Sequence, residues 1–399
     1  MIFKKLSVPI AFILLANIVF DPKINFAITV LLLLWAIMTN KWTITKTFPE
    51  QTIYFILLFL GIGIGWYECA IGTNEWYTLF KQTYYFLMPF IYWHLGYMYQ
   101  TKSLKRNKDC LFTVVVFSFF FALIDIISSL FTLIKLGGIA SVYLYRETIG
   151  LSGGISFFGF MILLFFYKEI DLQKRYKNII MATTLISLLM HFSRSSIVQI
   201  LIFVLFMLPF SNMRTKFKML TIGVILFFTI AILFPNLFES FMTKLLRSFT
   251  EIDFRQSNWN EWTINNNWRG YEAYCAIKQF NNSNLFTQLL GNGFGFKLDP
   301  GGYASLVTDE DGLIFLHNGY FTNLMYWGIV GFLMYIVWCI SGYRISNLYH
   351  SKNGCYFSKA MFVMFIVCTY FVNGPLFSLS LSPYFFVLGI VKCQDNHLI

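Results

Sequence analysis

Charged residues are scarce in this chain. Asp, Glu, Lys and Arg make up 12% of its 399 residues, whereas hydrophobic residues make up 57%. A soluble globular domain carries about 25% charged residues, so the composition excludes an ordinary soluble protein. Apolar runs long enough to cross a bilayer recur from end to end. The sequence therefore predicts an all-α, polytopic membrane protein.

Cysteine motifs, linkers and repeats are missing as well. The seven cysteines include no CxxC pair and no cluster with histidine, which argues against a zinc site or a disulfide framework. No Pro-, Ser- or Gln-rich linker divides the chain, and no internal repeat is visible. We therefore expect residues 1–399 to form a single integral membrane domain.

Twelve apolar segments have about the length of a membrane span. They are residues 6–20, 24–38, 52–67, 82–99, 110–134, 151–167, 178–192, 196–210, 219–234, 315–340, 360–373 and 376–391. One connection is far longer than the others: residues 235–314, between spans nine and ten. This large loop is the only sizeable part of the chain that is predicted to lie outside the membrane.

The distribution of basic residues predicts the orientation. Most of the 30 Lys and Arg residues fall on alternate connections, on the side that holds the N-terminus. Cytoplasmic connections of membrane proteins carry such an excess. Both termini are therefore expected in the cytoplasm, and the large loop is expected outside it. This topology also explains the net charge of +11 without a nucleic-acid partner.

The segment 315–334, FLHNGYFTNLMYWGIVGFLM, stands where the large loop re-enters the membrane. Helical residues follow one another at about 100°, so His317, Gly328 and Gly331 are expected on one face. Glycines let another helix approach closely, and an imidazole with a pKa of about 6.5 suits a general base. His317 is thus either a catalytic base or a polar residue at the mouth of a packed helix.

Three arginines in outer connections are candidates for binding an anion. Arg194 lies between two apolar runs, where Ser195 or Ser196 could cap the next helix. Arg269 opens a predicted amphipathic helix of the large loop, and Arg146 stands beside an acidic residue. A guanidinium offers phosphate a bidentate fork. The alternative is a snorkelling, solvated or locally paired arginine.

The residues around His317 resemble a known motif. His317-Asn318, nine further residues, and then Gly328-Ile329-Val330-Gly331 resemble the H-[NSQ]-x9-G-x-x-G signature of the bacterial O-antigen ligase/polymerase family. Ser193-Arg194-Ser195, and Trp268-Arg269-Gly270 with the glycine-rich 290–295 behind it, are similar to the family's two outer arginine segments. The similarity covers about residues 178–335.

The resemblance implies a GT-C-like fold in the bacterial inner membrane. It implies glycan transfer from an undecaprenyl-pyrophosphate-linked oligosaccharide on the periplasmic face, without metal or nucleotide cofactor, and with membrane lipid and a chain-length regulator as partners. His317 would take the proton from an acceptor hydroxyl, while Arg194 and Arg269 would hold the pyrophosphate. The residues implied to bind substrate are Arg146, Asn318, Trp259, Trp262 and Trp268.

The choice between polymerase and ligase stays open at this level. The intact His motif favours a ligase, which transfers the glycan to lipid A-core, and Phe157 and Phe280 stand where family polymerases carry the glycines of a paired R-x10-G pattern. The Phe-, Ile- and Asn-rich composition favours a polymerase, which we prefer. A lipid-linked glycan flippase would need repeats and charges in several spans, whereas Asp125 is the one buried charge predicted.

Overall fold

In a computed structural model the chain is built almost entirely of α-helices. The structure describes residues 6–39, 51–104, 109–135, 154–191, 193–210, 235–247, 250–252, 258–307 and 312–396, with isolated residues between 221 and 232. The helices are α1 (Val8–Val19), α2 (Pro22–Thr39), α3 (Gln51–Ala70), α4 (Trp76–Leu104), α5 (Cys110–Lys135), α6 (Gly154–Phe166), α7 (Lys174–Met190), α8 (Arg194–Met207), α9 (Pro235–Arg247), α10 (Glu261–Asn266), α11 (Trp268–Asn282), α12 (Leu285–Leu290), α13 (Ala304–Val307), α14 (Gly319–Ile345), α15 (Lys352–Phe371) and α16 (Ser382–Asn396).

Five of these helices are long and apolar enough to cross a membrane: α2, α3, α5, α14 and α15. The shorter helices α1, α6 and α8 are apolar as well. Large hydrophobic side chains such as Phe131 and Leu333 stay more than half exposed on these helices, as expected where lipid covers a protein. The chain is an α-helical membrane protein. The number of twelve spans stays a prediction, and span nine (219–234) lies largely outside the described residues.

Two predicted boundaries near the motif are wrong. The hydropathy predicts span ten from residue 315, but α14 begins at Gly319, because Asn318 caps its first turn. The last span is predicted from residue 376, but α16 begins at Ser382. Turns fill the interval before it, and they bury the ring of Phe377. Hydropathy marks such residues as buried but does not distinguish a buried turn from a helix.

An aromatic core anchors the large loop in the helix bundle. Phe294 of the loop packs against Phe86 of α4, Trp327 of α14 and Phe377, with ring centroids 5.8, 6.0 and 5.8 Å away. None of the four side chains is exposed. Aromatic side chains bury large apolar areas and contribute strongly to the stability of a core. The C-terminal half of the loop is therefore part of the protein core.

Candidate functional site

His317 lies at the start of the turn that leads into α14. The Asn318 side chain accepts a hydrogen bond from the Tyr320 N–H at 3.0 Å, and Asn is a preferred residue at a helix N-cap. The Gly319 N–H donates to the Val372 carbonyl at 2.9 Å and ties this turn to the end of α15. His317 is thus held on a short, doubly anchored turn, outside the helix on which the sequence places it.

Helix α11 supplies two groups that contact His317. The ring of Trp268 meets the imidazole edge-on, with centroids 3.9 Å apart and planes at 66°. Glu272, one turn further along, accepts the His317 backbone N–H at 3.0 Å through Oε2. Its Oε1 lies 3.3 Å from Nδ1, within ion-pair distance but outside hydrogen-bond geometry. Residues four apart share a helix face, so one face of α11 holds the imidazole.

Glu251 brings the two predicted arginines together. Its Oε1 accepts a hydrogen bond from Arg194 Nη1 at 2.8 Å, and its Oε2 lies 3.8 Å from Arg269 Nη1. The Arg194 side chain is 8% exposed, against 20% for Glu251 and 22% for Arg269. Asn267 caps α11 and donates to the Glu251 carbonyl at 2.8 Å, so the backbone of Glu251 is fixed as well. Two cations from distant parts of the sequence therefore share one anion.

The α7–α8 hairpin carries Arg194 at its tip. Arg194 is the first residue of α8, after Ser193 as N-cap, so the predicted capping by Ser195 or Ser196 is wrong. Below the tip, the Asp125 carboxylate of α5 lies 3.1 Å from the Ser187 hydroxyl and 3.3 Å from His191 Nε2. Both partners belong to the end of α7, so a buried polar cluster fixes that end against α5.

The glycine-rich segment 291–295 fits between α3, α4 and α14. The Asn292 and Gly293 N–H groups donate to the carbonyls of Met325 and Tyr326 at 2.9 and 3.0 Å. The Phe294 N–H donates to the Gly61 carbonyl at 2.7 Å, and a side chain on Gly65 would overlap the Phe294 backbone. Close backbone approach is what glycine permits. The segment therefore seats the loop by main-chain contacts.

An ion pair closes one end of this seat. Lys297 Nζ lies 2.7 Å from the Glu75 carboxylate, in the connection between α3 and α4. The hydrogen bond from Lys297 lowers the pKa of Glu75 below its usual range. The loop is thus held to the bundle by a charge contact as well as by backbone hydrogen bonds.

Gly328 and Gly331 lie within α14, but not on one continuous helix face. Gly328 has φ 60° and ψ −163°, which interrupts the helix with a kink. That conformation is essentially restricted to glycine. A Cβ at Gly328 would overlap the backbone of Leu289, and one at Gly331 would overlap the side chain of Trp327. The prediction that His317, Gly328 and Gly331 share one helix face is therefore wrong, whereas both glycines do lie at close contacts.

The predicted substrate-binding residues have different environments. Trp259 packs on Tyr271 with centroids 5.3 Å apart and is partly buried. Trp262 is 74% exposed on α10. Trp268 contacts His317, and Asn318 caps α14. Arg146 lies outside the described residues.

The two acidic residues of the site were not predicted from the sequence. Glu272 adjoins Ala273, which belongs to the apolar stripe of α11, and this position at the edge of a buried face was the available signal. Glu251 follows a segment without a clear hydrophobic pattern, so the sequence around it does not indicate a functional residue. In the part of the chain that the structure describes, no three His, Cys, Asp or Glu residues form a group that could hold a metal ion.

Comparison with known proteins adds no relative to this picture. No protein-family model, no curated protein and no solved structure matches the chain. The relationship to O-antigen ligases and polymerases is accordingly a proposal, and it rests on the His317 motif and on the arrangement of the basic residues around it.

Proposed function

We propose that the protein is a membrane glycosyltransferase that extends a surface polysaccharide. It would transfer a glycan from undecaprenyl pyrophosphate to a lipid-linked repeat unit on the periplasmic face of the inner membrane. The observation that carries this proposal is the convergence of Arg194 and Arg269 on one carboxylate, next to the helix that holds His317. An anion site beside a titratable imidazole suits transfer from a phosphate-linked donor.

The anion site supports a diphosphate ligand. The Glu251 oxygens occupy the place that phosphate oxygens would take between the two guanidinium groups. Arg194 is nearly buried, and a partly desolvated arginine binds an anion more strongly than a solvated one. The pyrophosphate gains negative charge as it leaves the sugar, so these cations would stabilise the transition state more than the ground state.

His317 would supply the base. It removes the proton from the acceptor hydroxyl while the resulting oxygen attacks the anomeric carbon. The bond between that carbon and the phosphate oxygen breaks, and undecaprenyl pyrophosphate leaves with the electron pair. The proton then passes from His317 to solvent. No residue needs to form a covalent intermediate in this scheme.

A direct test replaces His317 and follows the polysaccharide. In a strain that lacks the gene, H317A is expected to restore no chain extension while the protein stays in the membrane at normal level. His350, which is exposed in the connection after α14, provides the control variant H350A. Long polymer from H317A would eliminate His317 as the base.

Arg194 tests the anion site separately. Lysine keeps the charge but loses the planar fork, so R194K is expected to reduce chain extension at least about tenfold. R175K, at an exposed position in the first turn of α7, is the control. Full activity of R194K would show that only the positive charge is needed at this position, and not the planar guanidinium.

Transfer of the finished glycan to lipid A-core is the second candidate, favoured by the intact His motif. The gene deletion separates the two activities on a gel of the surface polysaccharide. A core that carries a single repeat unit indicates a polymerase. A core without repeats, with accumulation of lipid-linked polymer, indicates a ligase.

A further inference from the structure

Glu272 is the least exposed charged group of the site and has no role in the scheme above. Its side chain is 2% exposed, whereas that of His317 is 39% exposed. A buried carboxylate is costly unless hydrogen-bond donors satisfy it. One oxygen, Oε2, has such a donor in the His317 N–H. The other, Oε1, has no hydrogen-bond partner among the described residues.

The Nδ1 atom of His317 is in the same position. It is buried and has no hydrogen-bond partner within the described residues, and it lies 3.3 Å from Oε1. Although this contact lies outside hydrogen-bond geometry, a lone pair on Nδ1 would be repelled by the nearby carboxylate oxygen, whereas an Nδ1–H group would be attracted to it. Oε2 also accepts the His317 backbone N–H, so the Glu272 carboxyl group faces His317 as an acceptor, and this favours the tautomer with the proton on Nδ1.

The opposite side of the ring is open. Nε2 makes no hydrogen bond within the described residues. It also reaches the surface, since it is not one of the buried atoms without a partner. The ring orientation is held by the Trp268 edge contact, which comes from the same helix as Glu272. A neutral imidazole with its proton on Nδ1 presents the lone pair of Nε2 outwards, where a proton can be accepted.

We propose that Glu272 is a positioning residue that fixes the Nδ1–H tautomer of His317 and so makes Nε2 the proton acceptor. Its role in transfer rests on the proposed function, whereas the tautomer does not. Once Nε2 takes a proton, the carboxylate also stabilises the imidazolium that forms. Glu272 touches neither donor nor acceptor in this arrangement and acts through His317.

The tautomer is measured by ¹⁵N NMR on full-length protein labelled with [¹⁵N]histidine, in detergent at about pH 8, above the usual imidazole range. The His317 signal is identified by its loss in H317Q. We expect a protonated Nδ1 and an unprotonated Nε2 in the wild type. In E272Q the neutral amide can donate as well as accept, so this preference is expected to disappear. E261Q, at an exposed site of the same loop, should leave the signal unchanged.

The outcomes separate this inference from the proposed function. An Nε2–H tautomer in the wild type overturns the inference, and so does an unchanged His317 signal in E272Q. The wild-type spectrum decides the question even where E272Q does not fold. In cells, E272Q is expected to lower chain extension about 10- to 100-fold at normal protein level. An Nδ1–H tautomer in a protein without any transferase activity would contradict the proposed function alone.

Discussion

The two acidic residues of the site, Glu251 and Glu272, contact different groups. Glu251 contacts both arginines, and Glu272 contacts His317 through its backbone and approaches its ring. Arg194 is predictable from the sequence, because an arginine in a predicted outer connection opposes the charge bias of a membrane protein, and Arg269 opens a predicted helix. Their acidic partners are not predictable, because only the fold brings residue 251 next to residues 194 and 269.

Glu251 is expected to compete with the donor for the two arginines. A carboxylate between them must move or share the site when a diphosphate binds, so E251Q should lower the KM for the lipid-linked donor several-fold. The measurement is the donor-concentration dependence of polymer formation in membranes that contain the variant. E239Q, at an exposed position of α9, serves as the control. A raised KM would mean that the carboxylate holds the arginines in place for the ligand.

Single helices determine the geometry of the site. Helix α11 carries Trp268, Arg269 and Glu272 within about one and a half turns, so one rigid element orients both the anion site and the imidazole. Hydrophobic spacing predicted this helix correctly. The kink of α14 was not predictable, since a positive φ at Gly328 leaves no trace in a continuous apolar run.

The kink should be sensitive to a single methyl group. Any residue other than glycine at φ 60° and ψ −163° costs about 1–3 kcal/mol, and the added Cβ of G328A would also overlap the Leu289 backbone. We expect a clearly lower unfolding temperature in detergent. Gly63 of α3 is the matched control, because a Cβ added there would have no neighbouring atom within 4 Å and alanine favours a helix. Equal stability of G328A and G63A would show that the kink is not required.

Across the whole molecule, helix α7 separates the candidate site from the basic connection that precedes this helix. Arg175 lies at the start of α7, and Arg194 lies just beyond its end. A helix of 17 residues is about 25 Å long, close to the thickness of the hydrocarbon core. The charge bias predicts that the residue-175 end faces the cytoplasm. Arg194 and the rest of the site lie at the other end of α7 and would then face outwards. In the proposed reaction, lipid-linked glycans are joined on that side.

Cysteine labelling tests this orientation. E261C lies in the large loop and R175C in the first turn of α7, and both positions are exposed. A membrane-impermeant maleimide is expected to label E261C in intact spheroplasts and R175C only after lysis. Six of the seven native cysteines are buried, which keeps the background low, and Cys355 is only partly exposed. Labelling of R175C in intact spheroplasts would place Arg194, Arg269 and His317 on the cytoplasmic side. A periplasmic transferase could not use them there, whatever the chemistry of the site.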